Sequence, residues 1–273
     1  MKRSDRLVGL TNYFINHPRK LTQLTYFTDR FQASKSSISE DLDIINNMFE
    51  KEGIGSLERL AGAAGGTQYI PKFDKGKSLS FIKEICNELQ DPSRILPGGY
   101  LYMSDLLGDP SILKEIGKAF VSAFYDKKID AVVTVETKGI PIAYAIAEYL
   151  NVPVVIIRRN MRVTEGSSVS INYVSGRSQR IQTMVLPKRN LQEGLNVCII
   201  DDFMKAGGTV TGMISLLEEF NATVVGIGVF AEAKDEDNER IIDQYTSLVK
   251  VSNVDTKSKR IDVSVGSFYQ RIT

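Results

Sequence analysis

Apolar residues recur at helical spacing in three successive runs near the amino terminus. The first run extends from Ser4 to Asn16 and stops before Pro18, the second covers 24–31 with Thr22 as its expected cap, and the third covers 35–52. A recurrence every three or four positions is typical of amphipathic helices, and proline and small polar residues commonly mark their ends. The pattern therefore predicts three helices.

After Gly53 the pattern changes to a short apolar piece, a loop of small residues at 61–66, and a strand-like segment at 67–71. This change predicts a two-stranded hairpin. Three short helices followed by a hairpin are the arrangement of a winged-helix domain, which we expect at residues 1–74. Such a domain places its third helix in the major groove of DNA.

Candidate DNA contacts lie at the start of the third helix and in the segment that precedes the first. Small hydroxylated and basic side chains are good partners for phosphate oxygens. The candidates are Ser34, Lys35, Ser36, Ser37 and Ser39, together with Lys2, Arg3 and Arg6 in a flexible basic start. Residues 1–74 contain ten basic and nine acidic side chains. Because this balance is nearly neutral, a module for protein interaction or dimerisation remains the alternative.

A polar segment at 73–77 is expected to be a linker, and a second domain is expected at 75–273. Beyond a helix at 112–125, helical segments alternate with continuously apolar runs at 131–135, 152–157, 197–200 and 222–230. Continuous apolar runs are typical of parallel strands that are covered on both faces. The sequence therefore predicts an α/β protein with a mainly parallel, doubly wound sheet in this second domain.

The segment from Val197 to Thr209 has the clearest chemical character. Four apolar residues precede Asp201 and Asp202, and a glycine-containing turn then leads into a predicted helix. In open α/β sheets, ligands bind at this end of the strands. Glycines allow close approach of the backbone to a phosphate, and ionised aspartates accept hydrogen bonds from sugar hydroxyls. The pattern matches neither a Walker loop nor a dinucleotide fingerprint.

This segment resembles the motif by which the type I phosphoribosyltransferase family binds 5-phosphoribosyl-1-pyrophosphate (PRPP). The resemblance implies that Asp201 and Asp202 bind the ribose. It also implies a 5′-phosphate loop made of Lys205, Ala206, Gly207, Gly208 and Thr209. The segment 135–140 is similar to the pyrophosphate loop of that family, which implies diphosphate contacts from Thr137, Lys138 and Gly139. Mg²⁺ commonly accompanies PRPP in the family.

The segment that runs from 158–162 through 176–180 occupies the place of the long flexible loop of this family. Its arginines and serines are suited to a lid over an anionic ligand, and we include Arg158 among the candidate contacts. A solvated basic hairpin is the alternative interpretation, and a basic surface at this place is equally suited to DNA.

Taken together, the winged helix, Pro97–Tyr100, Glu136–Gly139 and Asp201–Thr209 closely resemble the family of bacterial pur operon repressors. The match covers nearly the whole chain. It implies a homodimeric repressor of purine synthesis and transport genes, for which PRPP acts as inducer. Nucleotides such as guanosine tetraphosphate are possible competitors, with Phe203, Tyr100 or Tyr102 available to contact a base.

Two other function classes stay open. Phe203 to Lys205 stand between the acids and the glycines, where many enzymes of the transferase family have smaller residues and a threonine. This difference alone does not decide between enzyme and sensor, but the resemblance to the repressor family implies no catalytic turnover, and we assign no catalytic residue. An active purine phosphoribosyltransferase with a regulatory amino-terminal domain is the main alternative, and an RNA- or protein-binding regulator on the same scaffold is the other.

Composition changes this picture little. The net charge of +1 and the pI near 7.6 provide no global attraction to nucleic acid, so binding must come from a local patch. No apolar run is long enough for a membrane span, and we expect a cytoplasmic protein.

Cys86 and Cys198 lack the clustered partners of a zinc site and are expected to be buried thiols. His17, the sole histidine, is expected at a helix end.

Overall fold

The computed structural model describes residues 1–62, 64–160, 166–175, 180–233 and 241–271, with only the backbone described at 175, 180 and 271. Contacts divide these residues into two compact units. The first is 1–74 and the second is 75–271, except that 148–151 are grouped with the first unit. The functional labels that we attach to the two units remain predictions.

The first unit consists of three helices followed by an antiparallel strand pair, as predicted. Its elements are α1 (Arg3–Asn16), α2 (Leu24–Phe31), α3 (Lys35–Glu52), β1 (Gly55–Leu60) and β2 (Gly66–Pro71). Buried faces of all three helices form one core around Phe14, Phe27 and Leu42. This is the winged-helix arrangement, in which the loop between β1 and β2 is the wing.

The ends of α3 follow from local chemistry. The hydroxyl of Ser34 accepts a hydrogen bond from the amide of Ser37 at 3.2 Å, and Gly53 ends the helix with a φ of 66°. A serine cap satisfies an amide that has no partner within the helix, and a left-handed glycine is a common helix terminator. These two residues explain why the predicted bounds of α3 agree with the observed ones.

The prediction that Thr22 caps α2 is wrong. The residue at the cap position is Gln23, whose side chain makes no capping bond. Thr22 forms an isolated backbone bridge with Thr67, and its hydroxyl lies 3.0 Å from that of Tyr13 in the core. Because Thr22 pairs with a strand, its extended backbone points the side chain inward and away from the helix.

The second unit alternates helices and strands. Its helices are α4 (Lys75–Leu89), α5 (Pro110–Ala123), α6 (Gly139–Leu150) and α7 (Gly208–Glu218), with short 3-10 turns at Pro92–Arg94, Leu106–Gly108 and Ser267–Arg271. Its strands are β3 (Ile95–Leu96), β4 (Tyr100–Leu101), β5 (Ala131–Val135), β6 (Val154–Ile157), β7 (Ser168–Ser175), β8 (Arg180–Pro187), β9 (Asn196–Met204), β10 (Thr223–Ala233), β11 (Thr246–Asp255) and β12 (Arg260–Val265).

Six of these strands form one sheet in the order β12-β11-β10-β9-β5-β6. All neighbouring pairs are parallel except β11 and β12, which are antiparallel at one edge. Every residue of β5 is buried. This confirms the predicted mainly parallel α/β fold, and it places the carboxyl ends of β5, β6 and β9 at the same edge of the sheet.

Strand β9 is longer than the sequence pattern indicated. Its apolar run ends at Ile200, but the strand continues through both aspartates to Met204. The reason is its neighbour β10, which pairs with it in parallel as far as the Glu232–Met204 position. Ladder hydrogen bonds therefore hold the acids in extended backbone, and the loop begins only at Lys205.

Three smaller expectations agree with the structure. Cys86 and Cys198 are both buried free thiols. His17 lies at the end of α1, where its Nδ1 is 2.8 Å from the carbonyl oxygen of Tyr13. Within the part of the chain that the structure describes, every helix is too short or too polar to cross a membrane.

Candidate functional site

Asp201 and Asp202 lie at the carboxyl end of the central strand β9. Asp201 is only 4% exposed, Asp202 is partly buried, and the amide of Asp202 donates a 2.9 Å hydrogen bond to Asp201 Oδ1. Burial raises the pKa of Asp201 well above its ordinary value, and the neighbouring charge of Asp202 raises it further. Burial also raises the pKa of Asp202. A buried acid pair without a neutralising partner is costly and suits a ligand that donates hydrogen bonds.

Two cations partly offset this cost. The charge of Arg159 lowers the pKa of Asp201, and the charge of Lys138 lowers the pKa of Asp202, although burial outweighs both. The sequence predicts two ionised aspartates. The structure modifies that prediction, because burial favours the protonated form, whereas an approaching cation or hydroxyl donor favours the ionised form.

The acid pair predicts a pH dependence of stability. The pKa of Asp201 is higher in the folded than in the unfolded chain. Its contribution to stability is therefore fully present at a pH below its pKa in the unfolded chain, and it is lost as the pH rises through its pKa in the folded chain. Within that window we expect the unliganded second unit to unfold at a higher temperature as the pH falls. Asp201→Asn should flatten this trend in thermal unfolding, and a trend unchanged by the substitution would contradict the assignment.

The segment that joins β5 to α6 packs directly against the acid pair. A Cβ atom at Gly139 would lie 2.4 Å from Thr134 Oγ1 and 3.3 Å from the Cα of Asp201. Residue 139 must therefore be glycine for α6 to begin this close to β9. The two residues before Gly139, Thr137 and Lys138, both have exposed side chains. The structure thus brings the two predicted ligand segments together.

Gly139→Ala is expected to weaken binding of a phosphorylated ligand by about tenfold or more, because the added methyl group forces the Lys138 loop away from Asp201. Isothermal titration with PRPP measures the change. Gly108→Ala is the matched control, since a Cβ atom at Gly108 has no neighbour within 4 Å. Equal affinities of the two variants would show that the close approach at Gly139 is not required.

Sequence reasoning missed two residues beside this loop. Glu136 accepts a 2.9 Å hydrogen bond from the amide of Arg159 and lies 3.5 Å from the Nη1 of Arg158. Glu136 thereby ties the loop after β5 to the residues after β6. Arg158, which we predicted to bind ligand, engages Glu136, whereas Arg159 acts electrostatically on Asp201. Glu136 follows β5 and Arg159 follows β6. The parallel pairing of these two strands, which the sequence predicted, is the feature that could have revealed their contact.

The predicted phosphate loop, Lys205 to Thr209, leads from β9 into α7. Gly207 has a φ of 91°, and Ala206, Gly207 and Gly208 are buried. The carbonyl oxygen of Ala206 accepts a 3.2 Å hydrogen bond from the amide of Ile241, whose neighbour Ile242 packs beside Gly207. The first amides of α7 at Gly208 and Thr209 lack partners within the helix, as at any helix start, and are suited to an anion.

The remaining predicted ligand contacts are on the β3–β4 hairpin, on β9 or outside the described residues. Tyr100 and Tyr102 are 72% and 41% exposed, on and just after the short β3–β4 hairpin. Arg94 anchors this hairpin by bonding the Tyr102 carbonyl and both oxygens of Asp105. Phe203 is partly buried on β9. Residues 161–165 and 176–179 of the predicted flexible loop lie outside the described residues, while β7 and β8 form an antiparallel pair.

A metal site made of protein groups alone is not evident. Among the described residues, no group of three or more His, Cys, Asp or Glu side chains is arranged to hold an ion. The two adjacent aspartates are compatible with Mg²⁺ held mainly by ligand phosphates, which is a common way of binding this ion.

In the first unit, Lys35 and Ser36 are exposed at the start of α3, as a DNA contact requires, and Lys2 is exposed before α1. The expected flexible basic start is wrong for Arg3 and Arg6. Helix α1 already begins at Arg3, and the Nε atoms of Arg3 and Arg6 bond the two oxygens of the fully buried Asp41 at 2.9 and 2.7 Å. Their cationic groups hold α1 against α3.

Ser34, Ser37 and Ser39 also have structural partners. Ser34 and Ser37 bond each other at the cap, and the guanidinium group of Arg59 bonds the hydroxyl and carbonyl of Ser39. Arg59, which the sequence reasoning missed, also pairs with Asp43 at 2.7 Å. Strand β1 is thereby attached to α3 at the base of the wing.

Comparisons with known proteins agree with this two-part architecture. Residues 2–71 match the model of the bacterial purine repressor amino-terminal domain, and residues 103–267 match that of the phosphoribosyl transferase domain. The fold of the second unit is similar to adenine phosphoribosyltransferase from Thermoanaerobacter pseudethanolicus, with a TM-score of 0.53 at 20% identity over 62% of this chain and 99% of that one.

The two matches define a protein in which a bacterial purine repressor amino-terminal domain is joined to a phosphoribosyltransferase-type domain. The chain is 57% identical to the purine biosynthesis transcriptional repressor PurR of Bacillus subtilis, over 98% of this chain and 93% of that protein. It is 45% identical to the purine biosynthesis transcriptional activator PurR of Lactococcus lactis, over 98% of this chain and 99% of that protein. The chain belongs to the PurR family of bacterial purine regulators.

Enzymes are more distant relatives. A xanthine phosphoribosyltransferase of Lactococcus lactis is 32% identical over 149 residues, which are 54% of this chain and 76% of the enzyme. The resemblance to enzymes therefore covers the second unit, whereas the resemblance to transcriptional regulators covers nearly the whole chain.

Proposed function

We propose that this protein is a DNA-binding repressor of purine biosynthesis and transport genes, and that PRPP binds the second unit as inducer. The observation that carries the proposal is the acid pair on β9: Gly139 packs against Asp201, the charge of Lys138 acts on Asp202, and the glycine loop at 205–209 follows the pair in the chain. The pair supplies acceptors for ribose hydroxyls, and the loops supply amides and cations for the phosphates at both ends of PRPP.

Repression, as opposed to activation, is favoured by similarity. The relatives include both repressors and activators. This chain has a higher sequence identity to the Bacillus subtilis repressor than to the Lactococcus lactis activator. The two-fold symmetry of a homodimer is suited to an operator with two half-sites. Light scattering of the purified chain tests this oligomeric state.

Ligand binding without turnover is the simpler use of this site. A transferase must also hold a base beside the ribose and stabilise the departing diphosphate. Phe203 and Lys205 occupy the segment between the acids and the glycines, where the cation of Lys205 favours retention of an anionic ligand and the ring of Phe203 is able to stack on a base or block one. Mg²⁺ is proposed to accompany PRPP on its phosphate oxygens. Guanosine tetraphosphate carries comparable groups and is proposed as a competitor for the site.

A mobility-shift assay on a purine biosynthetic promoter, with and without PRPP, tests the proposal. We expect a complex with the promoter that PRPP weakens. A transferase assay with adenine, guanine, hypoxanthine and xanthine is run on the same sample, because nucleotide formation at an enzyme-like rate would favour the alternative of an active purine phosphoribosyltransferase. Absence of any DNA complex would reject the repressor assignment.

A further inference from the structure

A cavity of about 380 Å³ opens in the first unit where the end of α1 meets the start of α2. Aromatic rings form its floor: Tyr13 stacks on His17 with ring centres 4.4 Å apart and lies 5.3 Å from Tyr26. Lys20, which precedes α2, and Arg30, in the last turn of α2, both line the cavity. None of these residues belongs to the DNA contacts that the sequence predicted.

The charge in this cavity has one sign. Among the described residues, no aspartate or glutamate lines the cavity, and neither Lys20 nor Arg30 forms an ion pair. Arg30 is held in place by rings, with its guanidinium carbon 5.8 Å from the centre of Tyr13 and 5.3 Å from that of Phe31. Its Nη1 also lies 3.4 Å from the hydroxyl of Tyr26. A cation that is held by rings retains most of its charge for an external anion.

The cavity adjoins the wing. Thr22, at its edge, exchanges backbone hydrogen bonds of 3.0 and 2.9 Å with Thr67 of β2. A Cβ atom at Gly66 would lie 2.5 Å from the carbonyl oxygen of Thr22, so the base of the wing is in direct contact with the segment that enters α2. The cavity therefore lies beside the base of the wing.

The wing itself lacks cations. The sequence from residue 60 to residue 71 contains no charged side chain, and the preceding Arg59 is bonded to Ser39 and Asp43 of α3. In a winged-helix complex the wing and the third helix contact DNA together, and phosphate neutralisation supplies a large share of the affinity. Lys20 and Arg30, which line the cavity next to the base of the wing, are cations that a neighbouring element offers to phosphates there.

We propose that this cavity binds a phosphate of the DNA backbone, with Lys20 and Arg30 as its cationic contacts. The inference rests on the proposed DNA-binding function and extends it to a surface on α2. Because phosphates are common to all sequences, the contact strengthens binding to any duplex and fixes the position of α3 without reading bases.

The test measures affinity of the full-length protein by fluorescence anisotropy over a series of salt concentrations. Two duplexes are used, one carrying the purine promoter and one of unrelated sequence. Lys20→Ala and Arg30→Gln should each weaken binding to both duplexes roughly tenfold at low salt and reduce the slope of log affinity against log salt by about one. Lys51→Ala, which removes an exposed cation at the other end of α3, is the matched control and should leave the slope unchanged.

Each result has a distinct meaning. If the wild type binds the promoter and Lys35→Ala lowers the slope, while Lys20→Ala and Arg30→Gln leave it unchanged, the cavity is not a phosphate site and the proposed function stands. If the wild type binds neither duplex, the proposed function fails and this site fails with it. Lys20→Ala guards against a folding defect, because the exposed Lys20 lacks the ring contacts of Arg30, and thermal unfolding of both variants is compared with wild type.

Discussion

Asp202→Asn is expected to abolish the response to PRPP while leaving promoter binding intact. The substitution keeps the size of the side chain but replaces one acceptor oxygen with a donor and removes the charge. Hydrogen bonds to a charged group contribute about 1.5–3 kcal/mol each, so the loss of one or two weakens PRPP binding by about 100-fold. Isothermal titration measures the affinity, and the mobility shift with and without PRPP measures the response.

The matched control for this prediction is Asp262→Asn, an acid on the edge strand β12 that pairs with the exposed Arg260. It should bind PRPP like the wild type. Since burial raises the pKa of Asp202, the Asn variant should also be at least as stable as the wild type at neutral pH. An Asp202→Asn protein that is stable and still binds PRPP with wild-type affinity would remove this carboxylate from the ligand site.

Asp41→Ala is expected to destabilise the first unit by about 3 kcal/mol or more. Asp41 is fully buried and bonds both Arg3 and Arg6, and the side chain of Arg6 is only 13% exposed. Removing one partner of a buried ion pair leaves an uncompensated charge, which costs about 3–5 kcal/mol. Denaturant unfolding followed by a probe in the first unit measures the change in the free energy of unfolding.

Asp43→Ala provides the comparison on the same helix. Asp43 also bonds an arginine, Arg59, but both side chains are largely exposed at 63% and 41%. Exposed ion pairs contribute about 0–1 kcal/mol, so this variant should unfold nearly as the wild type does. If the two variants lost equal stability, burial of Asp41 would not be the source of its effect.

The helices and strands of this protein were largely predictable from the sequence because their signals are local. The bounds of α3 follow from a serine cap and a terminal glycine, and the helices of the second unit follow from apolar periodicity. The errors occurred where a distant segment decides the outcome. Thr22 pairs with Thr67, and β9 continues to Met204 because β10 lies beside it.

The candidate site was predictable in part for the same reason. Asp201, Asp202 and the glycine loop are contiguous in the chain, so their chemistry is visible in one stretch of sequence. The participation of Glu136 and Arg159 depends on the parallel pairing of β5 with β6 and of β5 with β9, which brings three loops to one edge. Single-residue reasoning therefore selected Arg158 and passed over its neighbour.

By itself, the sequence determined the order of elements, the two-part organisation and the acidic and glycine-rich segment that resembles a PRPP motif. Each of these depends on residues close together in the chain, whose periodicity and turn chemistry act locally. Only the tertiary structure decided the raised pKa values of the acid pair, the use of Arg3 and Arg6 to neutralise Asp41, and the cationic cavity at Lys20 and Arg30. Burial and charge proximity depend on segments that fold together from distant positions, and no local pattern specifies them.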